Sequence, residues 1–280
     1  MKINIAHIGS NDWFNYKAEI VYGLYHTLIS LGHRVSMTHN QFLTDSHNLV
    51  VGADWLTEDA HLQHIRDTGV EFSIFDVESF DGVTINQRQG FRSDNYRELL
   101  EASTFICTPY KFNLTAYAAC GVAHKSGYAP WGYYEQLIDP NVNPGAPKLF
   151  DAVFFGLIKG MRGEKIRRLL SVPGMRLKAV SNTDPHSMRA YYLSSARYGL
   201  SLSSGVDEAF VNPFRIYLMV ANGIPVLADN ARDDDGYLEF AACGDIEDIL
   251  EFFQDPDAVF EVHGNLADGR RLANSLAAIF

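Results

Sequence analysis

Short apolar segments of strand length alternate with segments of helical periodicity along most of the chain, and this alternation restricts the possible folds more than any other feature. Residues 2–8 are β-branched and apolar, residues 9–11 interrupt them, and residues 16–31 carry apolar side chains at helical spacing. Gly32 is placed to end that helix, and residues 33–38 then predict a second strand. A strand, a helix and a second strand in this order indicate a parallel sheet with right-handed crossovers.

A second series of the same kind follows residues 141–148, a segment that contains two prolines, a glycine and two asparagines. The 280 residues are enough for two cores. We therefore predict an α/β fold of two Rossmann-like, doubly wound domains that face each other across a cleft. The first is residues 1–140, the linker is 141–148, and the second is 149–280, whose last helix can pack back on the first domain. Ligands of open parallel sheets bind beyond the carboxyl ends of the strands, so functional residues are expected in the strand-to-helix turns.

Composition excludes several classes of function. The net charge of −11 argues against binding of duplex nucleic acid, which requires basic residues for the phosphates. The three cysteines are far apart and form no CxxC pair, which indicates reduced thiols in a cytoplasmic protein. No signal peptide and no apolar run near 18 residues is present, so no transmembrane segment is expected. The chain also lacks the GxGxxG, P-loop and GxSxG motifs. It has no HExxH motif either, so no dedicated metal site is predicted.

Two strand-to-helix turns carry residues suited to an anion. Gly9 and Ser10 follow the first strand, where backbone amides and a helix N-terminus would face a ligand. In the second half a strand ends at Phe155-Gly156, and a helix is predicted over 163–170. Five cations fall within ten residues of this acidic protein: Lys159, Arg162, Lys165, Arg167 and Arg168. Lys159 and Arg162 are expected in the turn, where they would hold a diphosphate, whereas Arg167 and Arg168 are expected on a solvated face.

A third group surrounds the start of the helix predicted over 213–221. Asn212 is a suitable N-cap, and Pro213 suits the first helical position. Arg215 then lies in the first turn, where the helix dipole does not favour a cation, so its position needs another explanation. A phosphate ligand would supply one, and a salt bridge to Asp207 or Glu208 is the structural alternative.

Residues 215–229, R-I-Y-L-M-V-A-N-G-I-P-V-L-A-D, resemble the donor-binding helix and the following strand of GT-B glycosyltransferases. They are most similar to the CgeB-like branch, within the glycosyl transferases group 1 set. Residues 154–160, F-F-G-L-I-K-G, are similar to the opening of that family's donor domain, and residues 128–134 resemble the segment that closes its acceptor domain. Where the family usually has a glutamate that binds the donor ribose or sugar, this chain has Leu218, and Glu208 or Asp207 would have to substitute.

The resemblance implies a metal-independent transferase without a cofactor, which moves a sugar from a nucleotide-sugar to a glycan, a small molecule or another hydroxyl-bearing acceptor. The residues expected to bind the donor are Gly9, Ser10, Gly156, Lys159, Arg162, Glu208, Asn212 and Arg215. A general base would come from the first half: Asp12, ahead of Glu78 and the neighbouring Asp76. His7 lies within a strand and is expected to be a core residue. Two alternatives remain: a non-catalytic nucleotide- or sugar-binding homologue, and a nicotinamide-dependent oxidoreductase.

Overall fold

The computed structural model describes residues 1–9, 11–85, 91–158, 160–180, 184, 186–203, 210–229, 232–255, 271–277 and 279–280, with only the backbone for 11–16 and 186. The chain forms two compact units, one of Met1–Tyr134 with Arg270–Phe280 and one of Glu135–Gly269. The predicted linker, residues 141–148, lies within the second unit. None of the helices in the described part of the chain has both the length and the apolar character needed to span a bilayer.

The first unit is a sheet of six parallel strands with helices packed against it. The strands are β1 (Lys2–His7), β2 (Arg34–His39), β3 (His47–Val51), β4 (Phe72–Phe75), β5 (Ile106–Thr108) and β6 (Ser126–Tyr128). They lie in the order β2-β1-β3-β4-β5-β6. The helices are α1 (Asn11–Ser30), α2 (Asp59–Thr68), α3 (Ser93–Ala102) and α4 (Lys111–Ala119). The apolar strand residues are fully buried in β1 and β4, as expected for a sheet that is covered on both faces.

The second unit repeats this plan with five parallel strands. The strands are β7 (Phe150–Phe155), β8 (Leu177–Val180), β9 (Ala196–Ser201), β10 (Val226–Asp229) and β11 (Ala242–Gly244), in the order β11-β10-β9-β7-β8. The helices are α5 (Gly160–Leu170), α6 (Arg189–Ser195), α7 (Pro213–Ala221) and α8 (Ile246–Gln254). Its core joins Phe154 and Leu200 of the sheet to Ile166 and Leu169 of α5.

The last helix, α9 (Leu272–Ala277), belongs to the first unit although it follows the second along the chain. It packs on α1, and Leu272 and Leu276 are completely buried. The Leu272 N–H donates to the Tyr133 carbonyl oxygen at 3.0 Å, and the Ser275 hydroxyl donates to the Pro130 carbonyl oxygen at 2.8 Å. The C-terminal segment therefore completes the first unit.

Each sheet has one point at which the strand order reverses. In the first sheet, β1 has β2 on one side and β3 on the other; in the second, β7 has β8 on one side and β9 on the other. The connections that leave these strands run in opposite directions, which opens a crevice beyond their carboxyl ends. The two reversal points, β1/β3 and β7/β9, are thus the places where each sheet is expected to bind a ligand.

The helices that follow β1 and β7 begin earlier than their apolar periodicity predicted. α1 starts at Asn11 rather than Tyr16, and α5 starts at Gly160 rather than Gly163. The first turn of a helix does not need a buried side chain, and the interior Gly163 is tolerated within α5. The placement of Arg162 in the turn was therefore wrong, because this residue lies in the first turn of α5. The structure also contains three elements that the sequence pattern did not predict: β6, β11 and α4.

Candidate functional site

Arg162 bridges the two strands at the reversal point of the second sheet. Its Nη1 donates to the Leu157 carbonyl oxygen, just after β7, at 2.8 Å, and its Nε donates to the Leu202 carbonyl oxygen, just after β9, at 3.0 Å. The helix α5 that carries Arg162 follows β7 directly. The guanidinium is thereby held at the carboxyl ends of β7 and β9, where an open α/β sheet binds its ligands.

Arg215 reaches the same place from the opposite direction. It lies in the first turn of α7, after β9, and its Nε donates to the carbonyl oxygen of Phe155, the last residue of β7, at 2.6 Å. Its guanidinium carbon lies 4.9 Å from the centre of the Phe154 ring, and that of Arg162 lies 5.4 Å from the same centre. The ring attracts both cations electrostatically. Two guanidinium groups from different helices therefore contact one aromatic ring.

The N-terminus of α7 adds positive potential beside Arg215. The Asn212 Oδ1 accepts a hydrogen bond from the Arg215 backbone N–H at 3.0 Å, and Pro213 occupies the first turn, which confirms both capping predictions. The helix dipole places partial positive charge at this end, so α7 does not stabilise the Arg215 cation. An anionic ligand would satisfy both the helix end and the guanidinium.

Gly156 is required for the close approach of Arg215. Its φ of +148° is one that residues with side chains rarely adopt. A Cβ atom at this position would lie 2.7 Å from the Arg215 Nη2 and 3.1 Å from the Phe154 Cζ, so the guanidinium would have to move. Glycine here therefore keeps Arg215 against the end of β7.

A third arginine, which the sequence had not suggested, lies at the same strand end. Arg189 is the first residue of α6, and its guanidinium carbon is 5.6 Å from the centre of the Phe155 ring. Burial lowers the pKa of Arg189 to about 10, so the side chain stays protonated at neutral pH. The signal that singled out Arg215, a cation in the first turn of a helix, applies to Arg189 only once the observed start of α6 is known.

Asp229 and Lys165 form a buried ion pair next to Arg162. Asp229 ends β10 and is 3% exposed, and its Oδ2 accepts a hydrogen bond from the Lys165 Nζ at 2.5 Å. Its carboxylate also accepts from the Ser203 N–H and hydroxyl, at 2.9 and 2.8 Å.

By contrast, Arg167 and Arg168 pair with the exposed Glu164 and Glu247 and lie on the outer face of α5. The position predicted for these two arginines is confirmed.

The reversal point of the first sheet also holds a cation, but carboxylates compensate it. Lys17 of α1 is buried, and its Nζ lies 3.0 Å from the Glu78 Oε1, after β4, and 3.7 Å from the Asp54 Oδ1, after β3. Burial opposes the charge, yet Glu78 and Asp54 raise the pKa of Lys17 above the ordinary lysine value. This point of the first sheet therefore already carries two carboxylates, which disfavour an anion there.

Two further titratable groups lie at the carboxyl edge of the first sheet. Burial raises the pKa of Asp76 to about 6, although its Oδ2 accepts hydrogen bonds from the Tyr117 and Tyr96 hydroxyls at 2.6 and 2.8 Å. Burial, then the charges on Lys17 and His39, lower the pKa of His7 to about 4. His7 is 1% exposed within β1, which confirms its assignment to the core.

The predicted site residues are divided between the two units, and some of them are not described by the structure. Gly156, Arg162, Asn212 and Arg215 come together in the second unit, whereas Gly9 and Glu78 lie in the first. The Gly9 N–H donates to the Asn40 Oδ1 at 2.9 Å, so the side chain of Asn40 occupies the amide expected to face a ligand. Ser10, Lys159 and Glu208 lie outside the described residues, and Asp12 lies in the first turn of α1 with only its backbone described.

Leu218, the departure from the glycosyltransferase pattern, lies on the buried face of α7. It is 7% exposed. Within the described ranges, no three side chains of histidine, cysteine, aspartate or glutamate lie close enough together to hold a metal ion.

Comparisons with known proteins identify the fold. No family model matches the chain, and no curated protein matches it. The structure of HepE from Anabaena in complex with UDP-glucose is 11% identical, with 89% of this chain and 88% of that chain covered and a TM-score of 0.53. A Listeria monocytogenes protein assigned as a UDP-N-acetylglucosamine 2-epimerase is 12% identical, with 99% and 91% covered and a TM-score of 0.53. The predicted α/β fold of two Rossmann-like, GT-B-type units is thereby confirmed.

Proposed function

We propose that this chain transfers a sugar from a nucleotide-sugar to a hydroxyl-bearing acceptor, and that Arg162 and Arg215 hold the donor diphosphate at the carboxyl edge of the second sheet. The observation that carries the proposal is that both guanidinium groups lie against the Phe154 ring. Arg162 donates to carbonyl oxygens after β7 and after β9, and Arg215 donates to the last carbonyl oxygen of β7. The likeness in fold to HepE, which was solved with UDP-glucose, supports it at the level of architecture.

The chemistry needs positive charge where negative charge develops. When the sugar leaves, charge accumulates on the diphosphate oxygens, and preorganised donors lower the free energy of that state. Arginine suits the role because its planar guanidinium can bind phosphate oxygens through two parallel hydrogen bonds. With the N-terminus of α7, these cations would act in place of a metal. Lys159 and Gly156 would complete the phosphate site, and Glu208 would take the role that Leu218 cannot fill.

The acceptor would be activated by the first unit. In an inverting reaction a carboxylate takes the proton of the attacking hydroxyl, and Asp12 and Glu78 remain our candidates for this base. At the reversal point of the first sheet, Lys17 faces the carboxylates of Glu78 and Asp54. These negative charges disfavour a diphosphate there, which supports the second unit as the site of the anionic donor.

The second candidate function is nucleotide-sugar binding without catalysis. It is favoured by Leu218, an apolar residue at the position where the family has a donor-binding glutamate. It uses the same arginine site, so only a turnover measurement separates it from the transferase. The nicotinamide-dependent oxidoreductase gains no support, since the GxGxxG sequence is missing from both strand-to-helix turns.

Thermal unfolding with a panel of nucleotides tests the proposal. We expect UDP, GDP, ADP or TDP, or one of their sugar conjugates, to raise the melting temperature, because a ligand at about 100 times its Kd stabilises the folded state by about 2.7 kcal/mol. NADH and inorganic phosphate are the controls and should have much smaller effects. If no nucleoside diphosphate stabilises the protein at millimolar concentration, the donor site is wrong. Release of free sugar or its transfer to an acceptor then distinguishes the enzyme from the binding protein.

Gly156→Ala should weaken nucleotide binding as well as folding. The added Cβ would meet the Arg215 guanidinium and the Phe154 ring, and the backbone conformation is strained for alanine, at a cost of about 1–3 kcal/mol in unfolding free energy. Gly174→Ala is the matched control, since Gly174 also has a positive φ, +79°, but no atom lies within 4 Å of the added Cβ. Both variants should unfold at lower urea concentration, and only Gly156→Ala should lose affinity for the nucleotide. Equal affinities in the two variants would contradict the placement of Arg215.

A further inference from the structure

One peptide group at the end of β9 is held between two opposite charges. The peptide bond that joins Leu202 to Ser203 donates its N–H to the Asp229 Oδ1 at 2.9 Å, and its carbonyl oxygen accepts from the Arg162 Nε at 3.0 Å. A carboxylate on the N–H side and a guanidinium on the C=O side polarise the same amide, so each strengthens the hydrogen bond of the other. The orientation of this peptide thus links Asp229 to Arg162.

Lys165 makes the arrangement compatible with a neighbouring anion. A buried carboxylate close to a phosphate would repel it unless a cation compensates the charge. The Lys165 Nζ binds the Asp229 Oδ2 at 2.5 Å and the Ser203 Oγ at 2.8 Å. Lys165 lies one helical turn after Arg162 on α5, so one face of this helix both neutralises Asp229 and presents Arg162.

We infer that Asp229 is a positioning residue of the proposed donor site, which fixes the Arg162 guanidinium through the Leu202–Ser203 peptide. This inference rests on the proposed function for its effect on nucleotide binding and extends it beyond the residues in contact with the donor. In this arrangement Arg162 binds the diphosphate, and Asp229 affects binding only through the position of Arg162. Loss of the carboxylate should weaken the hold on the peptide, and thereby the bond that its carbonyl oxygen accepts from the Arg162 Nε.

A double-mutant cycle tests the link. Asp229→Asn should weaken binding of the nucleoside diphosphate found in the panel by roughly tenfold, whereas in an Arg162→Gln background the same change should cost less than about twofold. A purely structural role of Asp229 would weaken binding by the same factor in both backgrounds, and that result would overturn the inference.

The matched control is Asp151→Asn. Asp151 also accepts from a backbone N–H and a cation, the backbone N–H and Nη2 of Arg176 at 2.9 and 2.7 Å, but it lies at the amino end of β7. It should leave the Kd within about twofold of that of the unchanged protein. Should Asp229→Asn fail to fold, Ser203→Ala removes the hydroxyl bonds to Asp229 and Lys165 but keeps the backbone N–H that Asp229 holds. Its smaller loss of affinity should likewise vanish in the Arg162→Gln background.

A second readout is independent of the ligand. The Nε–H of Arg162 is held by the Leu202 carbonyl oxygen, so its NMR resonance should shift and its hydrogen exchange should accelerate in Asp229→Asn but not in Asp151→Asn. An unchanged resonance in Asp229→Asn would overturn the inference even if nucleotides bind. If no nucleotide binds the unchanged protein, the proposed function fails, and this measurement alone decides whether Asp229 positions Arg162.

Discussion

Affinity for the nucleoside diphosphate is expected to fall at least about 100-fold in Arg215→Met, because hydrogen bonds between charged groups contribute about 1.5–3 kcal/mol each and the guanidinium can make two with a diphosphate. In the folded state the substitution removes the bond to the Phe155 carbonyl oxygen, worth about 1 kcal/mol, and the cation–π contact with Phe154, worth about 0.5–1 kcal/mol. Titration calorimetry and urea denaturation of the same variant measure the two effects. A large loss of affinity with a small loss of stability is the expected signature of a ligand-binding arginine.

Two variants control for charge and for geometry. Arg168→Met removes the same charge from the outer face of α5, where Arg168 pairs with the exposed Glu247, and should leave the affinity unchanged. Arg215→Lys keeps the charge but cannot make two parallel hydrogen bonds, so its affinity should be intermediate. An affinity for Arg215→Met equal to that of Arg168→Met would show that the diphosphate lies elsewhere.

The second large effect concerns stability, in the first unit. Lys17→Met is expected to lower the free energy of unfolding by about 3–5 kcal/mol, because it leaves Glu78 and Asp54 without the cation that they share in a buried position. The pKa of Lys17 is raised in the folded state, so its stabilising effect is fully present at neutral pH and is lost as the pH rises through the folded-state pKa. Urea denaturation at neutral pH measures the loss.

The controls separate burial from charge. Lys2→Met breaks an exposed pair with Asp45 and should cost less than about 1 kcal/mol. Adding Glu78→Gln to Lys17→Met should recover part of the stability, since one of the uncompensated carboxylates is then removed. A Lys17→Met protein that unfolds at the same urea concentration as the unchanged protein would show that the carboxylates do not depend on this cation.

The sequence predicted those features that depend on neighbouring residues. The alternation of strands and helices, the Asn212 cap and the Pro213 start of α7 follow from local patterns, and the structure confirms them. The starts of α1 and α5 were misplaced because an exposed first turn shows no apolar periodicity. Local signals singled out Arg162 and Arg215, because each follows a recognisable strand, and the structure places both side chains at the carboxyl end of β7.

The remaining contacts depend on strand order, which one sequence does not reveal. Asp229 and Ser203 meet because β10 lies beside β9, and Lys17 meets Glu78 because β4 lies two strands from β1. These partners are 26 and 61 residues apart in the chain, and no periodicity connects them. The start of α6 at Arg189 is likewise known only from the structure.

The return of α9 to the first unit sets an order for folding during synthesis. Residues 135–269 are made between α4 and α9, so the second unit has all of its strands before the ribosome reaches residues 271–277. The side of α1 that α9 covers stays in contact with solvent, or with a chaperone, for that interval. The half of the chain that is translated first is thus the half that is completed last.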